Sequence, residues 1–226
     1  MEILVPVEEL LAVFGTYNLA IWPLQLIAYL LGFLAVFLSV RTTKHSSRII
    51  AAILSFYWLW TAVVFCLLFW GPNYTLAYGF GVMGMIQGAM LLVVGVLKPR
   101  LSFRFRPDVY GLVGILIVAY AMIGYPVVGY LLGHIYPRTL SFGLVPCPTT
   151  VFTLGLLLWT DKPVPRYVLI VPFMVAVAGL LAVWIGLLED IGLIVAVLVG
   201  TGLILYRDTR WPAEEREALT VAQPSP

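Results

Sequence analysis

Uncharged apolar runs alternate along the chain with short polar clusters, and most of the runs are long enough to cross hydrocarbon. They fall at about 22–40, 49–69, 76–97, 110–133, 148–160, 167–188 and 191–206. Hydrocarbon offers no partner for backbone N–H and C=O groups, so a spanning segment must be a helix or part of a closed barrel. A barrel would show segments of about ten residues with alternating hydrophobicity, and the sequence has none. The pattern therefore predicts an all-α, polytopic membrane helix bundle with seven transmembrane helices in a single membrane domain, residues 1–206. Glu189 and Asp190 fall in a turn tight enough to make the last two crossings an antiparallel hairpin. Residues 207–226 form a polar tail expected to fray after about one helical turn.

Ahead of the first crossing, residues 7–18 place Leu10, Leu11, Phe14 and Tyr17 on one face, with Glu8 and Glu9 elsewhere. That is the pattern of a helix lying in the membrane interface, and Pro23 then marks the bend into the bilayer. The alternative is one long, kinked first helix.

Charge adds an orientation. Every Lys and Arg except Arg138 lies in 41–48, 98–106, 162–166 or from Arg207 onward, and with seven crossings these segments share one side. The bias of basic residues toward cytoplasmic loops makes that side cytoplasmic, with the N-terminus outside and the C-terminus in the cytoplasm. Glu2, Glu8, Glu9, Glu189 and Asp190 collect on the other side. Trp70, Tyr74, Tyr78 and Trp184 suit one interface, and Tyr110, Trp159, Tyr206 and Trp211 the other. The acidic start lacks the pattern of a cleavable signal peptide.

Composition excludes a water-soluble globule: 62% of residues are hydrophobic, 11% are charged, and the mean hydropathy is +1.03. No crossing holds a mid-membrane Asp, Glu, Lys or Arg, which weighs against proton pumps, ion-coupled transporters and voltage sensors. The last helix has no lysine for a retinal Schiff base, and phosphate-loop, dinucleotide and His-Glu-x-x-His motifs are missing. Nucleic acid is not an expected partner, because topology already accounts for the basic residues.

Between helices in lipid, close approach of small residues and buried hydrogen bonds must do the joining. Ala77, Gly81, Gly84, Gly88 and Gly95 make a stripe that predicts a central place for the 76–97 helix. Gly84 and Gly88 could also face a second copy or a partner subunit. Gly129 and Gly133 form a second small-residue pair, and Gln25 and Gln87 are expected to cap carbonyls of neighbouring helices. In KPRLSFRFRPD, residues 98–108, Phe103 and Phe105 alternate with Arg104 and Arg106. This predicts aromatics inserted in the membrane and Lys98, Arg100, Arg104 and Arg106 against anionic lipid.

Chemistry concentrates in residues 125–150, which hold Pro126, Pro137, Pro146 and Pro148, His134, Arg138 and Cys147. Pro146 pushes the residue before it out of helical geometry, and Pro148 suits a first helical turn, so Cys147 sits at a helix start. From Cys147 to Thr160 is roughly 20 Å of helix, less than the roughly 30 Å hydrocarbon core. The fifth helix is therefore short and preceded by a loop dipping into the outer leaflet. Irregular backbone at that depth must be buried in protein or line a wet cavity.

The candidate ligand-binding residues are Cys147, Thr149, Thr150 and Arg138, with Asn18 and Gln25 supplying neutral hydrogen bonds. Cys147, Cys66 and His134 share one side and form a candidate soft-metal set. Structural alternatives stay open: a cysteine filling apolar space, a Cys66–Cys147 disulfide, and His134 as a surface residue. His45, beside Lys44, is expected to be solvated.

Tyr17-Asn18, Ile21-Trp22-Pro23 and Gln25, the Asp108-Tyr110-Gly111 helix start, His134 with Tyr136-Pro137, and the segment FGLVPCPTTVFT at 142–153 occur together in this chain. In this it resembles a bacterial family of integral membrane proteins known only as a domain of unknown function. The resemblance covers most of the chain, with Pro-Cys-Pro-Thr-Thr its most specific part. It implies a multi-pass protein of the bacterial inner (plasma) membrane and carries no activity or cofactor. The leading expectation is binding or passage of a small solute or soft metal ion through an outward-facing cavity at Cys147. A non-catalytic accessory or scaffold subunit and a membrane thiol redox protein are the other two, the latter weakened by the lack of Cys-x-x-Cys.

Overall fold

The computed structural model describes residues 6–210, and within them the chain is helical, with no strand beyond an isolated antiparallel bridge between Phe103 and Thr160. The helices are α1 Val7–Ala20, α2 Leu24–Val40, α3 Ser46–Trp70, α4 Leu76–Leu97, α5 Val109–Leu131, α6 Pro146–Leu158, α7 Arg166–Trp184 and α8 Asp190–Thr209. Local chemistry explains several ends. The Asp108 carboxylate accepts the Gly111 N–H at 2.8 Å to cap α5, and Pro146 and Pro148 occupy the first turn of α6. Gly133, at φ +88°, closes α5 in the left-handed region that favours glycine, so Gly129 and Gly133 do not form a helical small-residue pair as expected.

Five helices, α3, α4, α5, α7 and α8, are long and apolar enough to cross a bilayer. The first two reach that length only as a pair, and they meet at 87° across the Ile21–Pro23 break. At 13 residues, α6 is apolar but short. Of the seven expected crossings, length and composition thus support these five directly.

The centre of the bundle belongs to α6. All of its residues except Cys147 are buried, and α5, α7 and α8 pack around it with α3. This corrects the central place expected for α4, which presents Leu76, Tyr78, Val82 and Ile86 to the outside. Its glycine stripe is occupied within the chain: a Cβ at Gly84 would meet Ala62 at 2.9 Å, one at Gly88 would meet Leu59 at 2.7 Å, and one at Gly95 would overlap Ala51. The glutamines do cap neighbours, Gln87 Nε2 donating to Val168 O at 3.0 Å and Gln25 Nε2 to Asn18 O at 2.8 Å.

Hydrogen bonds gather the basic segments at one end. Phe103 N–H donates to Ser47 Oγ, Phe105 N–H to Ser39 O, Arg104 N–H to Trp159 O and Val164 N–H to Asp208 Oδ2. Residues 100–106 run extended, so their side chains alternate. Leu101 and Phe103 are buried, Phe105 stands edge-on to Trp159 at 5.4 Å, and Arg100, Arg104 and Arg106 are exposed. The aromatics therefore enter the protein, which corrects their expected insertion in lipid; Lys98 is exposed with the arginines.

A further correction concerns Arg207, read as the start of the polar tail. The last helix continues to Thr209, and Arg207 is buried in it. Its guanidinium donates to Leu158 O, Thr160 O, Thr160 Oγ1 and Asp208 Oδ1 at 2.9 to 3.1 Å. The rest of the expected tail, from residue 211, lies outside the described residues.

Candidate functional site

At the end away from the basic loops, α1 lies across the bundle. Leu10, Leu11, Phe14, Tyr17 and Asn18 form its buried side. Beneath it runs the irregular segment between α5 and α6, and two α1 side chains hold that segment's backbone. Asn18 Nδ2 donates to Pro137 O at 2.6 Å and to Thr139 O at 2.8 Å, while its Oδ1 accepts Ser141 Oγ. Tyr17 donates to Leu144 O at 2.8 Å and accepts Trp60 Nε1 at 3.0 Å. Residues 140–146 are all buried, so their carbonyls need such partners. Over the turn that joins α3 to α4, Tyr74 donates to Glu9 at 2.7 Å; desolvation, with the Glu9 carboxylate beside it, pushes the phenol up to about 12.

Cys147 follows directly, in the first turn of α6. Its thiol donates to Asp190 Oδ2 at 3.2 Å, and the Tyr125 hydroxyl donates to Asp190 Oδ1 at 2.9 Å. A π-helical turn at Tyr120–Gly124 adds one residue to that part of α5 and brings both Tyr120 and Tyr125 to the start of α8. Tyr120 donates to Glu189 O at 2.7 Å, and Glu189 Oε1 meets His134 Nδ1 at 2.8 Å. Both acids, read from the sequence only as a tight hairpin turn on the outer side, are buried. The turn is covered: Val7 of α1 packs over Gly186, which adopts φ +116°, and the loop after α5 lays His134 on Glu189.

Cys147 and Asp190 form part of the wall of a cavity of about 130 Å³. Leu10 and Phe14 of α1, Phe65 and Trp70 of α3, Leu76 and Phe80 of α4, and the Val175–Ala182 side of α7 supply most of the rest. The rings follow one another closely, Phe14 to Phe65 at 5.3 Å, Phe65 to Trp70 at 5.7 Å and Trp70 to Phe80 at 5.4 Å. The Trp70 Nε1–H is buried without an acceptor. Leu76 and Leu181, which also line the cavity, are exposed on the apolar outer surface.

A family model described as a family of unknown function, DUF6064, matches residues 7–215. The chain belongs to that family. No curated protein and no solved structure matches it. The family match spans every element that builds the cavity, from α1 to the start of α8.

Of the candidate ligand-binding and metal residues named from the sequence, Cys147 is the one that lines the cavity. Thr149 and Thr150 are buried and donate to Val145 O and Pro146 O, one turn back along α6. Asn18 and Gln25 brace backbone, and Arg138 is an exposed partner of Glu8 at 3.7 Å. Cys66 and Cys147 are free thiols. Cys66 is buried in α3, Cys147 is on Asp190 and His134 on Glu189. Among the described residues, no group of three His, Cys, Asp or Glu side chains converges in a way that could hold a metal ion.

Sequence reasoning missed Asp190, Tyr125 and the aromatic wall. One signal was there: Glu189-Asp190 stands between the apolar residues Leu187-Leu188 and Ile191.

Proposed function

We propose that this is a seven-crossing protein of the bacterial inner membrane, its basic end cytoplasmic, that holds a small apolar ligand in the cavity beside Cys147 and Asp190. The observation carrying this reading is the pairing of an apolar cavity with a half-buried thiol and a buried carboxyl at one point of its wall. Binding sites are commonly built this way, with apolar walls for the body of the ligand and a few polar groups for its head. The size suits a molecule with about one ring, since an apolar cavity of about 150 Å³ takes benzene or xenon. Leu76 and Leu181 at the apolar surface make the bilayer the natural route in. Binding is the part of the expected solute-handling role that the cavity supports; passage across the membrane needs nothing seen in it.

The test is fluorobenzene binding to the purified protein, followed by ¹⁹F NMR. Saturable binding is expected, and Ala182→Phe, which places a ring in the cavity, should remove it. Identical binding in the variant, or none in the parent, would overturn the reading.

A further inference from the structure

Resting on the cavity as a binding site, we infer that its ligand is a lipophilic cation, an apolar amine or onium whose positive head sits against Asp190. Asp190 is fully buried, and both its oxygens are used as acceptors, one by a phenol and one by a thiol. Two donors converging on one carboxyl suit its ionised form. Its place in the first turn of α8 favours negative charge as well.

Yet no Lys, Arg or His among the described residues forms an ion pair with it, whereas Asp208 has Arg207, Asp161 has Arg104 and Glu189 has His134. A buried carboxylate whose partners are all neutral lacks the countercharge that ordinarily makes burial tolerable. Asp190 also touches the cavity, so a cation arriving there can supply it. The remaining wall fits such a ligand, because it is lined by the aromatic side chains of Phe14, Phe65, Trp70 and Phe80, and aromatic rings attract cations while accepting apolar substituents. A carboxylate among aromatic rings thus selects for charge and hydrophobicity together.

The decisive comparison is between benzyltrimethylammonium and neopentylbenzene, its neutral isostere, titrated calorimetrically into the full chain in detergent. The cation should bind about tenfold or more tightly than the isostere. Asp190→Asn should abolish that preference, so that the two probes bind alike. Should the asparagine variant fail to fold, Phe14→Leu serves instead: it keeps the wall apolar, removes one aromatic ring, and should narrow the cation's advantage over the isostere about threefold. Equal affinity for the two probes in the parent protein, or equal loss of both in Asp190→Asn, would overturn the cation inference and leave the cavity reading standing. Failure of both probes and of fluorobenzene to bind would remove the cavity reading itself.

Discussion

Two buried ionisable groups stand at opposite ends of α8, and their surroundings are opposite too. Arg207, in the last turn, is enclosed by oxygens: two carbonyls and a hydroxyl near the end of α6, and the Asp208 carboxylate. Asp190, in the first turn, has two neutral donors and a cavity beside it. Both suit the helix dipole, negative charge at the N-terminus and positive at the C-terminus. Both also serve α6, which runs between them, with Cys147 at its start on Asp190 and Leu158 O at its end on Arg207. On the proposed reading, the difference separates a structural charge from a ligand-binding one. A saturated buried charge holds a helix end in place, while an under-compensated one next to open space retains interaction capacity for something else.

The comparison can be broken most directly at its saturated member. Arg207→Met strands two carbonyls and removes the cationic partner of the Asp208 carboxylate, and should destabilise the protein by about 3 to 5 kcal/mol, seen as a large fall in the detergent melting temperature. Next in size is Asn18→Leu, which removes three hydrogen bonds to the loop ahead of α6. A loss of about 2 to 3 kcal/mol is expected, with faster proteolysis within residues 132–145 as a second readout. Gly192→Ala drives a methyl group into the Tyr120 ring and should cost about 1 to 3 kcal/mol by the same melting assay. The smallest effect sharpens the contrast: Asp190→Asn keeps an amide oxygen as acceptor and removes a charge without a cationic partner, so stability should change by less than about 1 kcal/mol. If Asp190→Asn melts as early as Arg207→Met, both groups are structural and the functional distinction fails.

Much of the helical architecture was legible because its signals are local. Asp108 caps α5, Pro146 and Pro148 open α6, and the 13-residue length of that helix follows from where the apolar run stops. The glutamine caps could be anticipated because an amide in an apolar stretch must find a carbonyl, and Gln87 found Val168. Cys147 was legible as chemistry for the same local reason, lying between two prolines at a helix start. Its partner was not: Asp190 is 43 positions further on, and only the packing of α6 against α8 brings the thiol and carboxyl together.

The apolar runs, their punctuation by proline and glycine, and the clustering of basic residues are properties of neighbouring positions, so the chain alone determines an all-α protein with helices able to span a membrane. Tertiary structure decided which helix is central, which acids and arginines leave water, and where space remains between helices. Those depend on what covers each surface, and the covering elements are distant in sequence: α1 lies over the α7–α8 turn, and α4 and α7 flank the cavity. A carboxyl looks the same in a sequence whether it faces water or a ring of phenylalanines, because burial is a relation between segments and hydropathy belongs to one segment at a time.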